Sequence, residues 1–348
     1  MTTVLNNNKL ERLDYIDVAK GIGIILVVIA HHLLGAEMIR GYINSFHMPL
    51  FFIISGYLYA HKKEWNRPLK SIVIKKAKSL LYPYLTFGII IIVWHFVYYD
   101  IIFKNSVPEW GTIKVVIYFL STYGYHALWF LPCLFLSSII YIIIRKHRIH
   151  HFVCLPISVL ISLPFINDFF NSNDFTQYIY RLFIAVTFIY FGNLLYDLCK
   201  KNKTVYLLTF IISISLSFAS IICYCFFSDF FPMVNIACGN IGNCLFFYLF
   251  ALSNSVTILF ICERLIRQNV FLSFWGKNSL IVMAIHMDIT IEICWLFFNK
   301  LPFSFGNTIN SIIVILLEFV LLFAIIKLIN RFLPFMVKIP TKNHNNTH

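Results

Sequence analysis

Apolar stretches of about twenty residues recur from one end of this chain to the other, separated by short polar links. A helix rising about 1.5 Å per residue needs about 20 apolar residues to cross a hydrocarbon core of about 30 Å. On that measure the pattern predicts ten spanning helices, over 15–35, 42–60, 80–99, 126–144, 152–166, 178–198, 204–227, 236–262, 278–298 and 308–330. The fifth is short and carries Pro156 and Pro164, so it is expected to be broken or tilted, and Pro132 sits inside the fourth. Neighbouring helices must satisfy the backbone groups that such prolines free. No internal repeat is visible. The fold expected is all-α: a polytopic membrane helix bundle forming one domain over 1–340, with a short polar tail at 341–348.

The links between these stretches carry charge unevenly. Lys and Arg number twenty in alternate links (1–14, 61–79, 145–151, 199–203, 263–269 and beyond 330). The intervening links hold four: Arg40, Lys104, Lys114 and Lys300. Cytoplasmic loops hold the excess of cations, so both termini are expected in the cytoplasm, with Lys20 in the inner half of the first helix and His31 in its outer half. The basic run at 62–79 fits a helix lying on anionic headgroups, and also fits attraction of a polyanionic cytosolic cofactor.

Composition agrees with the membrane class. Of 348 residues 59% are apolar and only 12% charged, against about 25% charged in soluble domains. The net charge of +13 is accounted for by the loops, and no basic, aromatic-interleaved domain is present to bind nucleic acid. Nine cysteines are scattered, mostly within apolar runs and without a CxxC pair, which suggests neither a disulfide framework nor a metal site. The first segment lacks the flank and cleavage site of a signal peptide.

Several apolar runs contain groups that a simple anchor would avoid. Asp17, Lys20 and His31 occupy one stripe of the first helix: eleven steps of about 100° leave Lys20 and His31 about 20° apart, with a rise of about 16 Å between them. Charges at such depth are costly unless they face a partner or a wet cavity. His31 is the candidate for taking a proton from a hydroxyl near neutral pH. His32 points about 100° away and reads as structural. His47 precedes Met48-Pro49 at the depth of His31, while Ser55, Gly56 and Tyr57 lie deeper, where Ser-Gly permits close helix approach. Ser279 and His286 are seven apart on one face of the ninth segment, with Asp288 and Glu292 on another, so that helix is expected inside the bundle. His286 reads as a satisfied core histidine or as part of a site. Glu318 and Arg181 are candidates for a water-filled interior, Arg181 alternatively snorkelling, and Trp129 fits an interfacial aromatic belt. No His or Cys pair has the spacing of a metal site.

The run I-D-V-A-K-G-I-G-I-I-L-V-V-I-A-H followed by F-H-M-P-L-F-F-I-I-S-G-Y resembles the first two helices of the membrane acyltransferases of acyltransferase family three. The second run is similar to the fucose-4-O-acetylase-like branch. L-W-F-L at 128–131 and G-K-N-S-L through His286 extend the resemblance. It implies an enzyme of a bacterial plasma membrane that moves an acyl group, most often acetyl, from cytosolic acetyl-CoA to a hydroxyl of a sugar in a cell-surface polysaccharide or its lipid-linked precursor. The family's basic residue, ten residues, then His maps onto Lys20 and His31, with Lys where many relatives have Arg. A lysine cannot fork onto a phosphate as an arginine does. Lys20, fixed by Asp17, would neutralise charge on the donor, and His31 would deprotonate the acceptor hydroxyl or briefly accept the acyl group. His47, Ser55, Tyr57, Trp129, Ser279, His286 and Glu318 are the candidates for holding donor or acceptor. The chain resembles the stand-alone members, without an added soluble transferase domain. A transporter or flippase for a glycan-related solute, and a non-catalytic scaffold, are the alternatives; the partners expected are the donor, the glycan acceptor and the bilayer.

Overall fold

The computed structural model of the chain describes residues 12–33, 36–102, 111–121, 124, 126–161, 163, 166, 169, 173–227, 230–231, 233–298 and 307–337. Lys9, Lys104, Pro164, Lys300 and the 341–348 tail lie outside them. The described residues form helices and no strand beyond one isolated bridge, Asn235 to Asn240. In chain order the helices are α1 (Asp14–His32), α2 (Glu37–Lys62), α3 (Leu69–Tyr99), α4 (Gly111–Leu120), α5 (His126–Lys146) and α6 (His150–Ile161). There follow α7 (Asp174–Lys201), α8 (Lys203–Phe226), α9 (Cys244–Ile266), α10 (Val270–Lys277), α11 (Ser279–Phe297) and α12 (Asn307–Phe332).

Among the described residues eight helices are long and apolar enough to cross a membrane: α1, α3, α5, α7, α8, α9, α11 and α12. Two of the ten expected spans do not meet that measure, for different reasons. The 12 residues of α6 rise about 18 Å, too little for a hydrocarbon core, and Pro156 lies inside it. The 26-residue α2 is long enough, but Arg40, Asn44, His47 and Tyr57 dilute its apolar run. Its surroundings explain why that is tolerated. Phe46, Leu50, Phe52, Ile53 and Ile54 are all buried, so α2 lies inside the bundle and faces protein where a lipid-exposed helix would face hydrocarbon. By contrast α8 turns Leu207, Ile211, Ile212 and Phe218 outward, as a lipid-facing helix should.

Two helix pairs are interlocked by glycines. A methyl group added to Gly56 of α2 would collide with the Ile189 carbonyl of α7, and one added to Gly192 of α7 with the Ile53 carbonyl of α2. The same reciprocity joins α1 to α10: Gly21 abuts the Leu272 carbonyl, and Gly276 abuts the carbonyl of Asp17. Small residues let backbones approach where no hydrophobic force separates helix from lipid. The α1–α10 interlock seats Lys277 beside the turn that carries Asp17 and Lys20. In α11 the helix widens into a π turn over His286–Thr290, a local irregularity that re-aims the side chains around it.

Candidate active site

Two cavities open at opposite ends of α1. The first, of about 740 Å³, is lined by Asp17 and Lys20 from α1, Ser55 and Tyr59 from α2, and Lys277 and Ser279 at the α10–α11 junction. Arg12 also reaches it. Asp17 is the hub of its charge. Its Oδ2 accepts from Arg12 Nη2 at 2.5 Å and Nε at 3.1 Å, while Oδ1 stands 3.8 Å from Lys20 Nζ. Three cations, Arg12, Lys20 and Lys277, therefore face one carboxylate across this cavity, leaving a site that favours an anion. The Ser55 hydroxyl donates to the Phe51 carbonyl at 2.9 Å, so its proton is committed to its own helix.

The second cavity, of about 540 Å³, lies at the His31 end and is lined by His31, His47, His126 and His286. Trp129 and Arg181 form part of its wall. The Arg181 guanidinium lies 5.7 Å from the Trp129 ring centre, and both side chains are buried. Arg181 thus faces the interior and does not snorkel; Trp129 is a cavity wall and not part of an interfacial belt. His47 directs Nδ1 at the Ile43 carbonyl, 2.9 Å away, and His286 directs Nδ1 at the Val282 carbonyl, also 2.9 Å away. A carbonyl can only accept, so both rings carry their proton on Nδ1 and present Nε2 as a lone pair. The Nε2 of His286 has no hydrogen-bond partner, and its ring centre is 5.2 Å from that of His31. Met283, one turn before His286, lines both cavities.

The structure therefore gathers the sequence candidates into two groups. Asp17, Lys20, Ser55 and Ser279 share the Lys20 cavity; His31, His47, Trp129 and His286 share the other. Two candidates line neither. The Tyr57 hydroxyl accepts from that of Tyr15 at 2.9 Å, against the ring of Tyr196. Glu318 is fully buried between His32 and Thr290: one oxygen meets His32 Nε2, and the other accepts from Thr290 Oγ1 at 2.5 Å. That pairing gives His32 the structural role expected of it. Sequence reasoning singles out neither Arg12 nor Lys277, and does not join His126 to Asp288, whose Nδ1 and Oδ1 atoms lie 2.5 Å apart. Among the described residues no three His, Cys, Asp or Glu side chains converge to hold a metal ion.

The described residues thus form a helical bundle with a cationic cavity at one end of α1 and an imidazole-lined cavity at the other. A family model described as an acyltransferase domain matches residues 13–331, and the chain belongs to acyltransferase family 3. It is accordingly a membrane acyltransferase acting on hydroxyl groups. No curated protein and no solved structure matches it significantly.

Proposed function

We propose that this protein transfers an acetyl group from acetyl-CoA to a hydroxyl of a sugar in a cell-surface polysaccharide or its lipid-linked precursor. The observation that carries the reading is that one helix, α1, places Lys20 in one cavity and His31 in another, with Met283 lining both. A donor confined to one side of the membrane and an acceptor on the other need such a pair of chambers. The excess of loop cations supports a Lys20 cavity that faces the cytosol of a bacterial plasma membrane, with both termini on that side. Arg12, Lys20 and Lys277 receive the phosphates of the coenzyme, and Asp17 holds the first two in place. The thioester arm runs along α1 past Met283 toward His31. There the C–S bond of the thioester breaks, a C–O bond forms, and the hydroxyl proton ends on the departing thiol. His31 is the imidazole through which this exchange passes, while Nε2 of His47 and His286 accept hydrogen bonds from the acceptor's hydroxyls.

The test is base-labile acetate on the surface glycan of cells lacking the native protein, normalised to the membrane abundance of each variant. His31→Ala should lose 10²–10⁴-fold, roughly the contribution of a positioned acid–base group. Lys20→Ala should lose nearly all acetate, and Lys20→Arg should keep part of it because the charge survives. Wild-type acetate in His31→Ala refutes the reading.

A further inference from the structure

The four histidines of the second cavity are not equivalent. His47 and His286 spend Nδ1 on backbone carbonyls. Among the described residues His31 makes no hydrogen bond or ion pair, and its one ring contact is with His286. Of the four, His126 is the one that meets a carboxylate among the described residues: Nδ1 lies 2.5 Å from Oδ1 of the buried Asp288. A carboxylate inside a membrane bundle is costly unless it is paired, and such groups mark functional sites. This one rises from the same π turn that carries His286; His286 lines the cavity itself, and Asp288 reaches it through His126. The backbone gives a second indication. His126 opens α5 with φ at 41°, in the left-handed region that favours glycine. Strain of this kind persists where surroundings enforce it, and it clusters at functional sites.

Resting on the acyl transfer proposed above, we infer that His126, oriented by Asp288, is the base that takes the proton from the acceptor hydroxyl, and that His31 carries the acyl group. A base becomes an imidazolium, and Asp288 both fixes the tautomer of His126 and balances that charge. His31 has no such partner, which leaves a neutral ring with a lone pair to attack a carbonyl. In the first step a ring nitrogen of His31 bonds to the acyl carbon, the C–S bond breaks, and the thiolate takes the proton the ring releases. In the second, the acceptor oxygen attacks the acyl carbon while its proton passes to Nε2 of His126. The C–N electron pair returns to His31, which recovers that proton from His126. Asp288 is a positioning residue; His126 is the group that meets the hydroxyl.

The two steps can be read separately. Purified protein in lipid nanodiscs, given acetyl-CoA and radiolabelled coenzyme A, exchanges label into acetyl-CoA by the first step alone. Acetate on the surface glycan of cells requires both. His126→Gly suits the left-handed backbone and leaves a space for a free ring. It should exchange at the wild-type rate, lose 10²–10⁴-fold in glycan acetate, and recover part of it when imidazole is added to the medium. Asp288→Asn should show the same split between exchange and delivery, without rescue by imidazole. His31→Ala should lose both. The inference is overturned if His126→Gly loses exchange in step with delivery, or if it delivers acetate normally. A wild type that delivers acetate without any exchange sinks the division of labour and leaves the acyl transfer standing. A wild type that does neither sinks the acyl transfer itself.

Discussion

Gly276→Ala offers a direct measure of how tightly the Lys20 cavity, the proposed donor site, depends on the packing of α10 against α1. The added methyl would run into the carbonyl oxygen and carbon of Asp17 and the amide nitrogen of Gly21, all backbone atoms that no rotamer can move aside. The methyl would lie 1.8 Å from the Asp17 carbonyl oxygen, so ordinary contact at about 3.5 Å requires the helices to part by about 1.7 Å along that line. Overpacking of this kind costs about 1–3 kcal/mol. The displacement falls on the turn holding Asp17 and Lys20 and on the neighbouring Lys277, so the three cations lose their common focus. Misplacement by about 1 Å can cost up to 10²-fold where binding depends on convergent groups. The expected result is a raised Michaelis constant for acetyl-CoA in nanodiscs, together with a lowered melting temperature. Gly192→Ala meets an equally immovable carbonyl in the α2–α7 pair, and neither that glycine nor Ile53 lines either of the two cavities described above. It should destabilise to a similar degree while the donor constant stays near wild type. Because Gly21 and Gly276 share one interface, Gly21→Ala combined with Gly276→Ala should cost less than the sum of the two. A Gly276→Ala protein with wild-type melting and wild-type donor constant would refute the argument, as would a Gly192→Ala protein whose donor constant rises equally.

Three further outcomes are expected. His32→Ala leaves Glu318 buried against Thr290 without its imidazole, so stability should fall by about 3–5 kcal/mol, lowering melting temperature and membrane abundance; acetate delivered per folded molecule should change little, and a large loss per folded molecule contradicts the structural role. Single cysteines introduced at Asn66 and Glu37 in a cysteine-free background should label from the cytoplasmic and the outer side respectively, and the reverse pattern would invert the assignment of donor and acceptor cavities. Glu64 lies outside the spanning helices, where burial pushes its carboxyl up but Lys76 and Lys75 outweigh it, holding it below its ordinary 4.5. Its contribution to stability is therefore complete above about 4.5 and lost as the pH falls through the lower folded value, so the melting gap between wild type and Glu64→Gln should hold from pH 7 to 5 and close in stronger acid; a gap that widens in acid overturns this.

The helices are legible because membrane burial writes long apolar runs into the chain, and the Asp17–Lys20–His31 stripe because α1 is a regular helix on which 100° arithmetic holds. The same arithmetic puts Asp288 on the face of α11 away from His286; what it does not give is the partner met there, His126, which lines the cavity. No local pattern links residues 162 positions apart. Glu318 reads from sequence as a group in a wet interior for a related reason: its partners, His32 and Thr290, lie 286 and 28 positions away, on other helices. For α2 the hydropathy of the run is a property of its own residues, while the tolerance for its polar ones is a property of α7 and α9 packed around it.

Met283 stands where the two cavities come closest, and this has an electrical consequence. With water in both chambers, the membrane potential does not fall evenly over about 30 Å of hydrocarbon. On the proposed topology it drops mainly across the protein partition between the chambers, where Met283 lines both, and the field there is correspondingly concentrated. A unit charge crossing the full potential exchanges about 2.3 kcal/mol per 100 mV, and a thiolate or imidazolium formed at the partition feels a large share of that within a few ångströms. Turnover in energised vesicles should therefore respond to voltage although no ion crosses the protein.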